Sequence, residues 1–178
     1  MSETAPGYLI LTLIGPDKPG LVEAVAETLA RHQGNWLESR MTHLAGMFAG
    51  ILRASVPEDR IQSLTSALGA LEARGLRFHF ARSVAPSGEA PRRALVLGLV
   101  GNDRPGIVME VSRALAARGV NIEDLGTEVV SAPMSGEPLF KATARLEAPA
   151  TVEVADVRRD LERIANDLMV EVSLAPAD

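Results

Sequence analysis

Apolar residues cluster in two nearly continuous runs, at residues 8–14 and 94–100, and each run suits a central β-strand. Both pass into the turn sequence Gly-x-Asp-x-Pro-Gly. Pro19 and Pro105 lack a backbone N–H and pre-set φ, which places them in the first turn of a helix. Apolar residues then recur at helical spacing: Leu21, Val22, Val25 and Leu29 in the first half, Ile107, Val108, Val111 and Leu115 in the second. Gln33-Gly34-Asn35 and Gly119-Val120-Asn121 carry the glycine that commonly closes a helix. A strand of mixed polarity is predicted next, at residues 36–44 and 122–131. A third follows at 48–56 and 139–147, where Phe140, Ala142, Ala144 and Leu146 alternate with Lys141, Thr143, Arg145 and Glu147. Second helices carry Ile61, Leu64, Leu68 and Leu71, and Val154, Val157, Leu161, Ile164 and Leu168. Residues 76–82 and 169–174 predict the closing strands. The order βαββαβ predicts an α+β fold of two tandem ferredoxin-like units, each a four-stranded antiparallel sheet with two helices on one face.

The two halves are copies. Aligned at an offset of 86, residues 8–35 and 94–121 agree at twelve of 28 positions, among them Gly15/Gly101, Asp17/Asp103, Pro19/Pro105, Gly20/Gly106 and Asn35/Asn121. Chance would supply one or two, so the chain is an internal duplication. The match resumes at an offset of 92, with Phe48, Arg53 and Pro57 facing Phe140, Arg145 and Pro149. The six extra residues fall at 131–136, in turn chemistry that tolerates insertion. Residues 84–91 are rich in Pro, Gly and Ser, as linkers are. The expected organisation is a first domain at 1–83, a linker at 84–93 and a second domain at 94–178. Units of this size bury little on their own, so the two are expected to pack together.

Charge and composition remove several classes of function. A net charge of −5 and a pI near 5.3 do not supply the basic footprint of a nucleic-acid binder, and the one basic pair, Arg92-Arg93, sits in the linker. Without cysteine there is no disulfide, thiol catalysis or thiolate zinc site. The first six residues lack the pattern of a signal peptide, and no apolar run reaches the ~20 residues of a membrane span, so a cytoplasmic location is expected. His32, His43 and His79 fall on different elements without metal-site spacing, and no nucleophile motif is present. Gly15-x4-Gly20 and Gly101-x4-Gly106 imitate a P-loop, but Leu21-Val22 and Ile107-Val108 stand where Lys-Ser/Thr is required. An RNA-binding sheet would need stacking aromatics, whereas Phe48 and Phe140 are solitary and read as core. Trp36 likewise reads as a core or sheet contact. The chain is therefore read as no enzyme, with no cofactor, no direct nucleic-acid partner and no membrane partner.

The informative chemistry is the corner between first strand and first helix. A helix N-terminus presents unpaired amides and a partial positive charge to a carboxylate or phosphate. Gly20 and Gly106 would let a ligand approach them, and Asp17 and Asp103 could take an ammonium group. Asn35 and Asn121 add both donor and acceptor at the far end of the helix. A structural account also exists: Asp as a helix cap worth ~1 kcal/mol, Pro and Gly as turn formers, Asn as a tolerant of awkward φ.

A first strand, Asp-x-Pro-Gly-Leu/Ile-Val, an amphipathic helix and a closing Asn resemble the ACT domain, a regulatory module that binds amino acids. In tandem and without a catalytic domain, the arrangement is similar to the glycine cleavage system transcriptional repressor family. That resemblance implies ligand contacts at Asp17, Lys18, Gly20, Leu21 and Asn35, and at Asp103, Arg104, Gly106, Ile107 and Asn121, at an interface between two modules. It implies an amino acid such as glycine or serine as ligand, and a protein partner that in the family is a transcriptional activator. Where some members place a side-chain donor two residues before the Asp, this chain has Gly15 and Gly101. A ligand-free interaction module stays open as the alternative, and so does homo-oligomerisation.

Overall fold

The computed structural model describes residues 6–83, 91–132 and 136–177. Residues 84–90 of the expected linker, 133–135 of the expected insertion and the first five residues lie outside these. The chain divides into two compact units, Met1–Ser87 and Gly88–Asp178. The first contains β1 (Pro6–Pro16), α1 (Leu21–Arg31), β2 (Asn35–Leu44), β3 (Met47–Pro57), α2 (Ile61–Gly69) and β4 (Arg77–Arg82). The second contains β5 (Arg92–Asn102), α3 (Ile107–Ala117), β6 (Asn121–Ser131), β7 (Pro138–Pro149), α4 (Val154–Leu168) and β8 (Val170–Pro176). The sheets run β2-β3-β1-β4 and β6-β7-β5-β8, with every pairing antiparallel. Each unit is thus a ferredoxin-like βαββαβ fold.

Alternation along the central strands sets which face the helices cover. Leu9, Leu11 and Leu13 of β1 and Leu52, Ala54 and Val56 of β3 are buried against Leu21, Val25 and Leu29 of α1 and Leu64 and Leu68 of α2. The second unit repeats this with Leu95, Leu97 and Leu99 beneath Ile107, Val111, Leu115, Leu161 and Leu168. Each fully buried leucine contributes ~1.5–3 kcal/mol, so the aliphatic cores hold the folds without many aromatics. Phe140 is in the core, while Phe48 and Trp36 are half-buried against theirs. Across the helical layer of the second unit, Arg118 donates to Asp160 at 2.7 Å, and this hydrogen bond holds the Asp160 carboxyl below its usual range.

Four local expectations are corrected. Pro19 and Pro105 lie before the helices, because the N-caps are Gly20 and Gly106 and the helices begin one residue later. Leu76 and Met169 precede the closing strands. Leu76 is drawn into the core, and Met169 takes a left-handed φ of 54° that ends α4. Arg92 and Arg93, assigned to the linker, are already strand residues. In the first unit the left-handed residue after the helix is Gln33, φ 58°, not Gly34; Gly34 instead packs close to Leu29, where a Cβ would lie 3.1 Å from the carbonyl. The hydrogen bonds are the same in both copies: Gly34 N donates to Leu29 O at 2.8 Å and Val120 N to Leu115 O at 3.0 Å.

The second copy has glycine at that left-handed position, Gly119, with φ 68°. A left-handed conformation costs an L-residue about 1–2 kcal/mol, partly offset by glycine's larger chain entropy. Gln33→Gly should therefore stabilise the first unit by about 0.5–1 kcal/mol, read as a higher urea midpoint at unchanged slope.

Candidate functional site

Between β1 and α1 the chain reverses through residues 17–20, and between β5 and α3 through 103–106. Gly20 (φ 86°, ψ 6°) and Gly106 (φ 99°, ψ −10°) occupy the N-cap in the left-handed region, where a side chain is disfavoured. Neither helix has a side-chain cap. The first backbone bonds join Ala24 N to Gly20 O and Glu110 N to Gly106 O, each at 3.0 Å. The amides of the first turn, at residues 21–23 and 107–109, therefore have no carbonyl acceptor inside their own helix. The loops are stitched at their other end to the neighbouring hairpins: Asp17 N donates to Gly46 O at 2.9 Å and Asp103 N to Pro138 O at 3.0 Å.

This geometry decides the role of the aspartates. A capping Asp would sit at the N-cap, three residues further on, so capping does not explain Asp17 or Asp103. Both side chains are exposed. The nearest cation-forming group to Asp17 is His43, its Nε2 at 3.8 Å from Oδ2.

Gly15 and Gly101, two residues before the aspartates, are explained by close packing. A Cβ at Gly15 would lie 2.6 Å from the Gly75 carbonyl oxygen, and one at Gly101 would collide with Val170. A side chain has no room at either position.

The first corner is open. A cleft of about 270 Å³ is lined by residues 17, 18 and 20–23 together with Phe48. A Cβ built on Gly20 would meet nothing nearer than Glu23 Oε2 at 3.7 Å and Arg74 Nη2 at 3.9 Å. Leu21 itself turns into the core, leaving its amide rather than its side chain at the cleft. Glu23, Phe48 and Arg74 were not singled out on sequence. Glu23 is one turn into the helix, and Phe48 was read only as core. Arg74 arrives from the 3-10 turn of residues 70–74 that follows α2, with no local signal.

The second corner differs. Arg104, aligned with Lys18, donates to the Asp167 carbonyl at 3.2 Å. Ile107 is buried, and beside it lies an apolar crevice of about 20 Å³ lined by Val108, Val111, Leu125 and Phe140, room for about one water.

Asn35 and Asn121 are not gathered with these groups within a unit. Asn35 opens β2 and pairs through Ser55 with Tyr8, at the start of β1, whereas Asp17 follows its end. Eight residues of strand separate them by ~26 Å. One small ligand can touch an Asp17-type and an Asn35-type residue only if they come from different copies of the fold. Among the described residues, no three His, Cys, Asp or Glu side chains gather as metal ligands.

Fold and corner together define a pair of ferredoxin-like modules, each with a first helix that starts without a side-chain cap. The pattern of the ACT domain matches residues 7–80 and 93–175, and the chain belongs to the ACT domain family, carrying two copies. It is 32% identical over 84 residues to UPF0237 protein MK1213 of Methanopyrus kandleri, across 47% of this chain and 87% of that protein. A crystal structure of an unknown protein from Galdieria sulphuraria is similar along 98% of this chain and all of its own, at a TM-score of 0.86 and 28% identity. A solved structure described as a candidate glycine cleavage system transcriptional repressor shares the fold over 95% of this chain and 96% of its own, at a TM-score of 0.71 and 16% identity.

Removing a capping aspartate destabilises by ~1 kcal/mol, whereas an exposed, uncommitted one changes stability by less than ~0.5 kcal/mol. Asp17→Ala should fall in the second class when unfolding is followed by denaturant titration. Gly20→Ala should cost about 1–2 kcal/mol through its left-handed φ.

Proposed function

We propose that this chain is a non-catalytic sensor of a small amino acid, bound at the first corner, and that occupancy modulates a protein partner. The observation that carries the reading is the open cleft over the uncapped start of α1, beside an aspartate that no capping role explains. The ligand carboxylate sits on the amides of residues 21–23 and the positive end of the helix, and Asp17 takes the ammonium. The equivalent residues Asp103, Arg104, Gly106 and Ile107 form a weaker second site, since Arg104 is already engaged. Asn35 and Asn121 take part where a second copy of the fold brings them to the ligand. Glycine or serine is the leading ligand, because a small zwitterion carries both the carboxylate that the free amides take and the ammonium that Asp17 takes.

The likeness in fold to a glycine cleavage repressor candidate supports a role in regulating transcription or metabolism through a protein such as an activator. A cytoplasmic location goes with that role; among the described residues no helix is long and apolar enough to cross a membrane. Ligand binding can act only by favouring one arrangement over another. Glycine has about five heavy atoms, and at ~1.5 kcal/mol each binding is capped near −7 kcal/mol, a Kd of several micromolar at best. That range suits a reporter of metabolite pools. The engaged Arg104 also supports a second reading, in which the modules only dock proteins.

Calorimetric titration with a panel of amino acids tests the proposal. Glycine or serine should bind saturably at micromolar or weaker affinity, and Asp17→Ala should abolish the tighter binding event while leaving the fold intact. Absence of heat with every amino acid would contradict the sensor and favour the docking module.

A further inference from the structure

What stands over the glycine that opens the helix differs between the two corners. At the first, charged side chains from two separate elements converge on Gly20. A Cβ built there would lie 3.7 Å from Glu23 Oε2 and 3.9 Å from Arg74 Nη2. Glu23 belongs to the first turn of α1, and Arg74 to the 3-10 turn that follows α2. Among the described residues, neither side chain takes part in an ion pair or a hydrogen bond. At the second corner methionine stands where the first has glutamate, and Met109 Cε lies 3.9 Å from the equivalent point above Gly106. Among the described residues, no charged group comes within 4 Å of that point. The crevice beside Ile107 is likewise apolar, lined by Val108, Leu125 and Phe140.

We propose that Glu23 and Arg74 make the first corner selective for a hydroxyl-bearing amino acid, serine above alanine, and that Met109 turns the second corner towards an aliphatic one. The inference rests on the corners being ligand sites. With the ligand carboxylate on the free amides and its ammonium at Asp17, the side chain is the part left to lie over Gly20. A hydroxyl donates one hydrogen bond and accepts another, so serine Oγ donates to the Glu23 carboxylate and accepts from the Arg74 guanidinium. Both bonds involve a charged partner, which makes them the stronger kind. An alanine methyl in the same place satisfies neither group, and a site built around a hydroxyl discriminates strongly against the analogue that lacks it. Charged side chains are disfavoured as well, an acidic one by Glu23 and a basic one by Arg74. Over Gly106 the Met109 thioether offers apolar contact and only a weak acceptor, so a hydroxyl there gives up its water without a comparable partner.

Calorimetric titration of the full chain with serine and with alanine tests it. In the tighter event the wild type should bind serine about tenfold more tightly than alanine, the worth of a hydrogen bond to a charged group. Glu23→Met should reduce that ratio to roughly threefold or less, and Arg74→Met should act in the same direction. Both positions are exposed, so circular dichroism should not change. In Asp17→Ala, where the tighter event is gone, the remaining one should favour alanine, and adding Met109→Glu should turn it towards serine. A wild type that binds serine and alanine equally, or folded Glu23→Met and Arg74→Met chains that keep the full preference, would overturn the inference while leaving the sensor in place. An Asp17→Ala chain that binds neither amino acid, or still prefers serine, would overturn its second half. A wild type that binds no amino acid would overturn the sensor and this inference together.

Discussion

Four residues carry each unit from the end of a central strand into a helix that lies back across the same sheet, and a left-handed residue at the helix N-cap completes that reversal. Glycine answers the demand at Gly20 and Gly106. The same solution removes any capping side chain, so the first-turn amides are left to outside acceptors and the preceding aspartate takes no part in capping. Gly15 acts in parallel. Its missing Cβ lets Gly75, just past the 3-10 turn that follows α2, approach the strand, and with it comes Arg74 beside the corner. The geometry that makes the fold possible is thus the geometry that makes the corner receptive.

Duplication kept the backbone and let the surfaces diverge. Both copies close their first helix with the same pair of hydrogen bonds, yet one places glutamine where the other places glycine. Lys18 leaves the first corner open, whereas Arg104 reaches a carbonyl at the end of α4. Arg40 and exposed Ile51 stand at the sheet positions where Gly126 and Thr143 line a groove in the other copy. Identical folds therefore carry distinct surfaces.

Element order, element type and the buried faces were legible in the sequence because period and repetition agree: Leu9, Leu11 and Leu13 alternate, and Leu21, Val25 and Leu29 keep helical spacing. Boundaries were less legible where backbone conformation competes with composition. Pro19 looks like a first-turn proline, but the glycine after it starts the helix. Met169 looks like a strand residue, but it ends a helix at 74% exposure. In the corner, Asp17, Lys18 and Gly20 were visible as local chemistry. Phe48 and Arg74 were not, because their proximity depends on strand pairing and on the end of a distant helix. The sequence already placed Asn35 at the far end of α1 from Asp17, and the register of β1 and β3 fixes how far apart they lie.

The central claim is that the amides opening α1 await a small carboxylate. Amide chemical shifts of the full chain, followed while glycine or serine is added, test it most directly. The account predicts saturable shifts centred on residues 20–23, with Asn35 moving only when a second copy of the fold completes the site. Unmoved amides there, with saturable shifts elsewhere in the chain or none at all, would contradict it.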